Sequence, residues 1–276
     1  ASINNTNTTK KNSKKIITKQ KIKEALKDFS GSFPILVYYG DYQFDAKPVG
    51  KGFLNLEISE EQNYNIKLTA KAVGWASLFL RKPLYYESRG QYSELGFETF
   101  YYEQITPKRG KNFVNIYPLK KEIYFSSTEK KLSFAEMNSI YDPLSLIFQI
   151  SFLFKLNKIF EDNYSKNFYI FNRKKIEKVE FNPGPPQEMV MPDGSFISAI
   201  KINSKIARGN KSGSLEFWLD PLNSYFPLRI SFKDNIKNKT IEFLVIKESI
   251  IINEKKIIED KPNIINRTPY MLSDWQ

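Results

Sequence analysis

Residues 54–73 read LNLEISEEQNYNIKLTAKAV. In the second half Tyr64, Ile66, Leu68, Ala70 and Ala72 alternate with Asn65, Lys67, Thr69 and Lys71. Successive side chains of a strand point to opposite faces, so this spacing predicts a strand with one buried and one wet face. Leu54, Leu56 and Ile58 keep the same period upstream. The polar stretch Ser59–Asn63 joins the two runs, which together read as a hairpin.

The same reading extends in both directions. Period-two segments begin near Phe33 and recur at 84–92, 97–105, 112–117 and 122–126. They resume at 168–171, 176–181, 196–207, 214–219, 228–233 and 240–252. Turn residues punctuate many of the gaps: Arg109-Gly110-Lys111, Pro192-Asp193-Gly194 and the run from Gly209 to Gly213. Many short strands at close spacing predict a mainly β fold, a strongly curved antiparallel sheet forming an open or half barrel.

One helix interrupts the strands. Asp142 is a good N-cap and Pro143 suits the first helical position. Apolar residues then cover most of the cylinder to Leu156, as expected of a helix buried in the concavity of the sheet. Ahead of the strands, residues 14–29 form a basic amphipathic helix, with Ile17, Ile22, Ala25, Leu26 and Phe29 on one stripe. That stripe either packs on the sheet or lies on a membrane surface. Residues 1–13 read as a disordered arm, 30–252 as a single curved-sheet domain and 253–276 as a polar tail. Asn182–Pro186 is the best candidate for a break within the domain. Lys14, Lys15 and Lys19 on the basic segment and Trp275 in the tail are the candidate contacts for a protein partner.

The 276 residues contain neither His nor Cys. Ser-His-Asp and Cys-His catalysis, His or Cys metal ligation, haem held by His and iron–sulfur clusters are therefore excluded. Disulfides are excluded too, so stability rests on core burial, for which 41% hydrophobic and 15% aromatic residues suffice. Glu87, Glu94, Glu98 and Glu103, or Asp193, Asp220 and Asp234, leave room for carboxylate chemistry, but no spacing singles out a pair. No phosphate-binding glycine loop is present, and no cofactor or metal is expected. The run Pro143–Leu156 is too short and too polar for a transmembrane helix. A first residue of Ala and the lack of Cys suit an exported chain whose signal peptide has been removed. The formal charge of +12 fits either attraction to anionic partners or the Lys-rich drift of an A·T-rich genome.

The densest aromatic run lies between Trp75 and Phe113, with Arg81, Arg89 and Arg109 interleaved. Three readings are open: ordinary sheet core, an aromatic-lined groove for an acyl chain with Arg at its mouth, and a stacking surface for single-stranded nucleic acid. The groove reading, which ranks above nucleic acid, assigns Trp75, Phe79, Arg89, Tyr92, Phe97 and Tyr101 from the run. From the buried helix it adds Phe148 and Phe152, and from a later strand Trp218. Trp218 alternates with Leu215, Phe217 and Leu219, so something on the opposite face of its strand must cover the ring.

Several short motifs join these features: Ser88-x-Gly90, then Phe97–Lys108 with Tyr101, Tyr102 and Pro107, then Asp142-Pro143-Leu144-Ser145-Leu146. Pro192-Asp193-Gly194 follows, then Glu216–Pro221 and Tyr225-Phe226-Pro227-Leu228-Arg229. Over about residues 33–250 the chain resembles an uncharacterised bacterial envelope family, domain of unknown function 3108. The resemblance implies export and an architecture similar to bacterial lipoprotein carriers, and it implies no catalytic residue. The expectation is thus a periplasmic binding or carrier module for a lipid or other hydrophobic envelope component, without catalysis. The alternative is a structural or interaction subunit of an envelope or surface assembly.

Overall fold

The structure, a computed structural model, describes residues 19–27, 29–43, 45–107, 110–134, 140–156, 166–171, 174–206, 213–234 and 238–246. After helix α1 (Lys19–Lys27), the first wing of the sheet runs β1 (Gly31–Tyr39), β2 (Gly50–Ile58), β3 (Asn63–Ala72), β4 (Leu84–Ser93), β5 (Gly96–Thr106), β6 (Gly110–Tyr117), β7 (Glu122–Phe125) and β8 (Lys130–Ser133). Then come β9 (Ile140–Tyr141), helix α2 (Pro143–Lys155), β10 (Lys166–Phe171), β11 (Ile176–Val190), β12 (Phe196–Ile206), β13 (Ser214–Asp220), β14 (Phe226–Asp234) and β15 (Lys239–Val245).

Among the described residues fifteen strands form one sheet, in the order β8-β7-β6-β5-β4-β3-β2-β1-β15-β14-β13-β12-β11-β10-β9. The sheet is curved and open, as expected. Two meanders therefore leave from a seam in which β1 pairs with β15, Leu36 opposite Leu244. The hairpin from which the reading began is β2–β3, with Leu56 opposite Ile66 and Leu54 opposite Leu68, all buried. Two details depart from expectation. β9 pairs with β10 in parallel, which the intervening helix makes possible. Asn182–Pro186 is no break but part of β11, where the register shifts between Pro183 and Pro186. Among the described residues the β10–β11 ladder ends at Lys166 opposite Phe181, ahead of these prolines.

One face of the sheet carries the main core, which α2 fills. Its rings interlock: Phe148 meets Phe29 at 6.0 Å, Phe226 at 6.3 Å and Phe97 at 6.5 Å, and Phe152 meets Phe97 at 6.4 Å. The stripe of α1 (Ile22, Ala25, Leu26) is buried in the same cluster, so for the described part of this helix packing wins over a membrane-surface role. A second core holds Tyr102, Val114, Ile116, Ile123 and Phe125 from one wing with Ile140 and Phe171 from the other. The wings thus curl until their faces meet, Tyr102 lying 5.7 Å from Phe171, while their edges stay unpaired with each other.

Polar groups fix α2 in the concavity at two points. Asp142 Oδ1 accepts from the amides of Leu144 and Ser145 at 2.8 and 3.0 Å, and Ser145 Oγ accepts from the Asp142 amide, which makes a capping box. Asp142 Oδ2 accepts from Ser88 Oγ at 2.6 Å and Thr99 Oγ1 at 3.0 Å, and Tyr64 joins the same buried cluster. Burial raises the Asp142 carboxyl above its ordinary value, against the opposing pull of the Ser145 and Ser88 hydrogen bonds. One turn further on, Gln149 accepts from the Phe97 amide at 2.7 Å and donates to the Leu95 carbonyl at 3.0 Å. The β4–β5 turn comes this close because residue 96 is Gly. Its φ is +106, and a Cβ would overlap the Gln149 amide.

Candidate functional site

The residues expected to form one groove are divided among four places. Tyr92, Phe97, Phe148 and Phe152 are buried in the main core, where the Phe97 ring packs on Phe148 and Phe152 of α2. Arg89 and Tyr101 lie on the opposite face of β4 and β5, where the guanidinium stacks 4.2 Å from the Tyr101 ring centre. Trp75 and Phe79 stand exposed on and just after a 3-10 turn, Gly74–Leu78. Trp218 is buried on β13 between its register neighbours Lys201 and Arg229, at the margin of the main core. Lys19 opens α1, whereas Lys14, Lys15 and Trp275 lie outside the described residues, as do the arm 1–13 and the tail 253–276.

The carboxylates do not form a free pair. Glu87 and Glu103 are directly opposite in the β4–β5 register. Like charges so placed repel, and cations offset them: Lys111 at 2.7 Å from Glu103, and Arg89 and Lys67 at 3.8 and 3.9 Å from Glu87. Tyr101 also donates to Glu103. In the turn after β11, Ser195 donates to Asp193 through both its amide and its hydroxyl, which closes the turn on itself. Among the described residues no cluster of three acidic side chains could hold a metal ion.

What covers Trp218 is a row of cations. Register places Lys201 of β12, Trp218 of β13 and Arg229 of β14 side by side on one face. Arg229 lies 4.2 Å and Lys201 5.1 Å from the indole centre, a geometry in which the ring quadrupole attracts both charges. Arg229 Nη2 binds both oxygens of Glu242, at 2.9 and 2.7 Å, and the Tyr42 amide donates to the same carboxylate at 2.8 Å. The Glu242 side chain is 1% exposed, so this ion pair is held out of water. Lys201 also meets Glu216 at 3.1 Å, which Lys233 approaches from the other side at 3.3 Å.

Against this row lies a cavity of about 330 Å³. Lys201, Trp218 and Arg229 line it from the sheet; Tyr42 from the loop after β1 and Gln187–Val190 of β11 complete its wall. The size is at the small end for ligand pockets. Two buried polar atoms of lining residues, Arg229 Nε and Tyr42 Oη, have no hydrogen-bond partner among the described residues. Burial holds the Tyr42 phenol above its ordinary value, with Arg229 pulling it down and Asp193 pushing it up, so the group is a neutral O–H donor near neutral pH. The neighbouring Tyr38, 4.7 Å away ring to ring, is pushed up to about 12 by burial and then by Tyr42. The cavity thus offers N–H and O–H donors, an ammonium and apolar wall from Met189 and Val190, with one carboxylate, Glu188, at its lining against the two cations Lys201 and Arg229. That suits holding an anion or a carbonyl; His and Cys are lacking throughout. Sequence pointed to Trp218 alone. Lys201, Arg229 and Tyr42 become its neighbours only through strand register and the fold-back of the 40–49 loop.

The architecture is that of an open, curled β-sheet closed on a helix. No family model matches the chain, and no curated protein matches it in sequence, so the motif resemblance stands without a family-level match. Among solved structures, a β-barrel-like protein of domain of unknown function DUF1849 from Brucella abortus is similar at a TM-score of 0.46 and 7% identity, covering 78% of this chain and 95% of that one. A candidate lipoprotein from Parabacteroides distasonis is similar at 0.29 and 11% identity, covering 78% and 94%. A candidate exported protein with a YmcC-like fold from Bacteroides fragilis is similar at 0.26 and 7%, covering 78% and 92%. These are likenesses of general outline. Among the described residues no helix is long and apolar enough to cross a membrane.

Proposed function

We propose that this protein is a non-catalytic, periplasmic binding module of the bacterial envelope, which holds an anionic amphiphile by its charged end in the Trp218–Arg229–Tyr42 cavity. The observation that carries this reading is the pair of buried donors, Arg229 Nε and Tyr42 Oη, which find no partner among the described residues and lie beside a cavity. A buried donor without an acceptor costs about 1–3 kcal/mol, and a ligand oxygen relieves that cost. The lipid reading shifts in one respect. The space under α2 is packed with Phe29, Phe97, Phe148 and Phe152, so the charged end of a ligand, and not an acyl chain in the core, is what the chain accommodates.

Native mass spectrometry of protein purified gently from its own cells tests this. A bound small mass carrying phosphate, sulfate or carboxylate supports the reading. A large assembly with no small ligand overturns it in favour of a structural subunit. Tyr42→Phe sharpens the test. It removes an unpaired hydroxyl, so the fold keeps its stability or gains a little, while ligand retention falls roughly fivefold for one lost hydrogen bond.

A further inference from the structure

Between β3 and β4 the chain does not turn directly. It forms the 3-10 turn Gly74–Leu78 and a short extension to Pro83. Trp75, Leu78 and Phe79 are 67%, 71% and 77% exposed, whereas Ala76 is buried and fixes the base of the turn. The display is ordered. Ser77 Oγ donates to the Gly74 carbonyl at 2.7 Å, the amides of Phe79 and Leu80 both donate to the Ala76 carbonyl, and the Trp75 and Phe79 rings meet edge-on at 6.5 Å. Three large apolar side chains within five residues are thus exposed, and among the described residues none buries them.

The charged residues that follow them in sequence are of one sign. Arg81 and Lys82 follow at once, both exposed. No Asp or Glu occurs between Glu61 and Glu87, a stretch that also carries Lys67 and Lys71. We propose that the Trp75–Lys82 turn is a membrane-interface anchor that seats the protein peripherally on an anionic phospholipid bilayer. Trp favours the headgroup level, where its ring is half in apolar and half in polar surroundings. Leu78 and Phe79 enter the acyl boundary beside it, and Arg81 and Lys82 meet the phosphates. A second copy of the chain is the poorer occupant. A twofold contact through this patch would bring Arg81 and Lys82 of both copies together. Nucleic acid would match the cations but would leave Leu78 without a role. The proposal does not depend on the cavity described above, since the anchor needs no bound ligand.

Co-sedimentation of the full chain with vesicles tests it. The protein is expected to bind vesicles of phosphatidylcholine and phosphatidylglycerol at 3:1, to bind pure phosphatidylcholine weakly, and to be released by about 0.5 M salt. Trp75→Ser/Phe79→Ser should lower partitioning at least about tenfold. Arg81→Gln/Lys82→Gln should lower it about thirtyfold. All four side chains are exposed, so thermal unfolding should match the parent. A blue shift of Trp emission on the mixed vesicles should vanish in Trp75→Phe. No binding to the mixed vesicles, undiminished binding by the Trp75/Phe79 variant, or a soluble dimer dissolved by the same substitutions overturns the proposal. These outcomes are read without any ligand in the cavity, so failure here is distinguishable from failure of the binding-module reading.

Discussion

Asp142→Ala removes a helix cap and the shared acceptor of two buried hydroxyls in one step. Loss of a cap costs about 1 kcal/mol. Ser88 and Thr99 lose Oδ2, but Tyr64 and Ser145 lie close enough to re-pair one of them. One orphaned hydroxyl then remains, at about 1–3 kcal/mol. The expected loss is roughly 2–4 kcal/mol, a large part of the roughly 5–15 kcal/mol that a domain has. Urea unfolding at pH 7, followed by far-UV circular dichroism, reads it; a loss below about 1 kcal/mol refutes the reasoning. Asp142→Asn separates charge from hydrogen bonding. Because burial raises the native carboxyl above its unfolded value, the native state binds that proton more tightly than the unfolded chain does. The stability this group contributes is therefore full below the unfolded pKa, near 3.9, and is lost as pH rises through the raised native value. Relative to the Asn variant, the wild type should lose ground as pH rises above about 4. A trend of the opposite sign would mean that the four hydrogen bonds outweigh burial.

Three further outcomes follow from the same packing. Gly96→Ala should cost roughly 2–3 kcal/mol in urea unfolding, because it strains a positive φ and displaces Gln149; with Gln149→Ala the two effects should fall short of additive. Phe148→Ala should cost about 3–5 kcal/mol, and a loss under about 1 kcal/mol would show that α2 is not packed as described. Arg229→Met strands Glu242 and should cost about 3–5 kcal/mol, much of which Glu242→Gln in the same chain should restore; equal loss in the single and double variants would count against a buried ion pair.

Where period two was clean, strand and face could be read directly: β3, with four consecutive inward positions, is the case in point. The start of α2 was equally legible, because Asp142-Pro143 is a capping signal that acts locally. The partners of that cap were not. Ser88 and Thr99 are distant in sequence, and Ser145 and Gln149 read as polar interruptions of an apolar run until the β4–β5 hairpin is set against them. β8 was missed because Lys130–Ser133 is exposed along its whole length and has no apolar face. β9 was missed because two residues show no period. The aromatic run misled for a physical reason. Composition alone cannot separate rings that fill a core, such as Phe97, from rings that leave it, such as Trp75. The same holds at Trp218, whose need for a cover was legible while the covering residues, on the two neighbouring strands or across a loop, were not.

The β1–β15 seam bears on how the chain is made. The ninth-residue scale of a hairpin can close in microseconds, but β1 finds half of its hydrogen bonds only in β15, more than two hundred residues later. A ribosome releasing this chain offers β1 through β14 with an unsatisfied edge at the centre of the future sheet, and no order of local events can mend it early. Such wiring makes folding slow and late. It favours a polypeptide that stays open for threading through a pore and assembles once its last strand has emerged. Truncation before Lys239 should accordingly yield two meanders that aggregate through the edges of β1 and β14, and not a smaller folded protein.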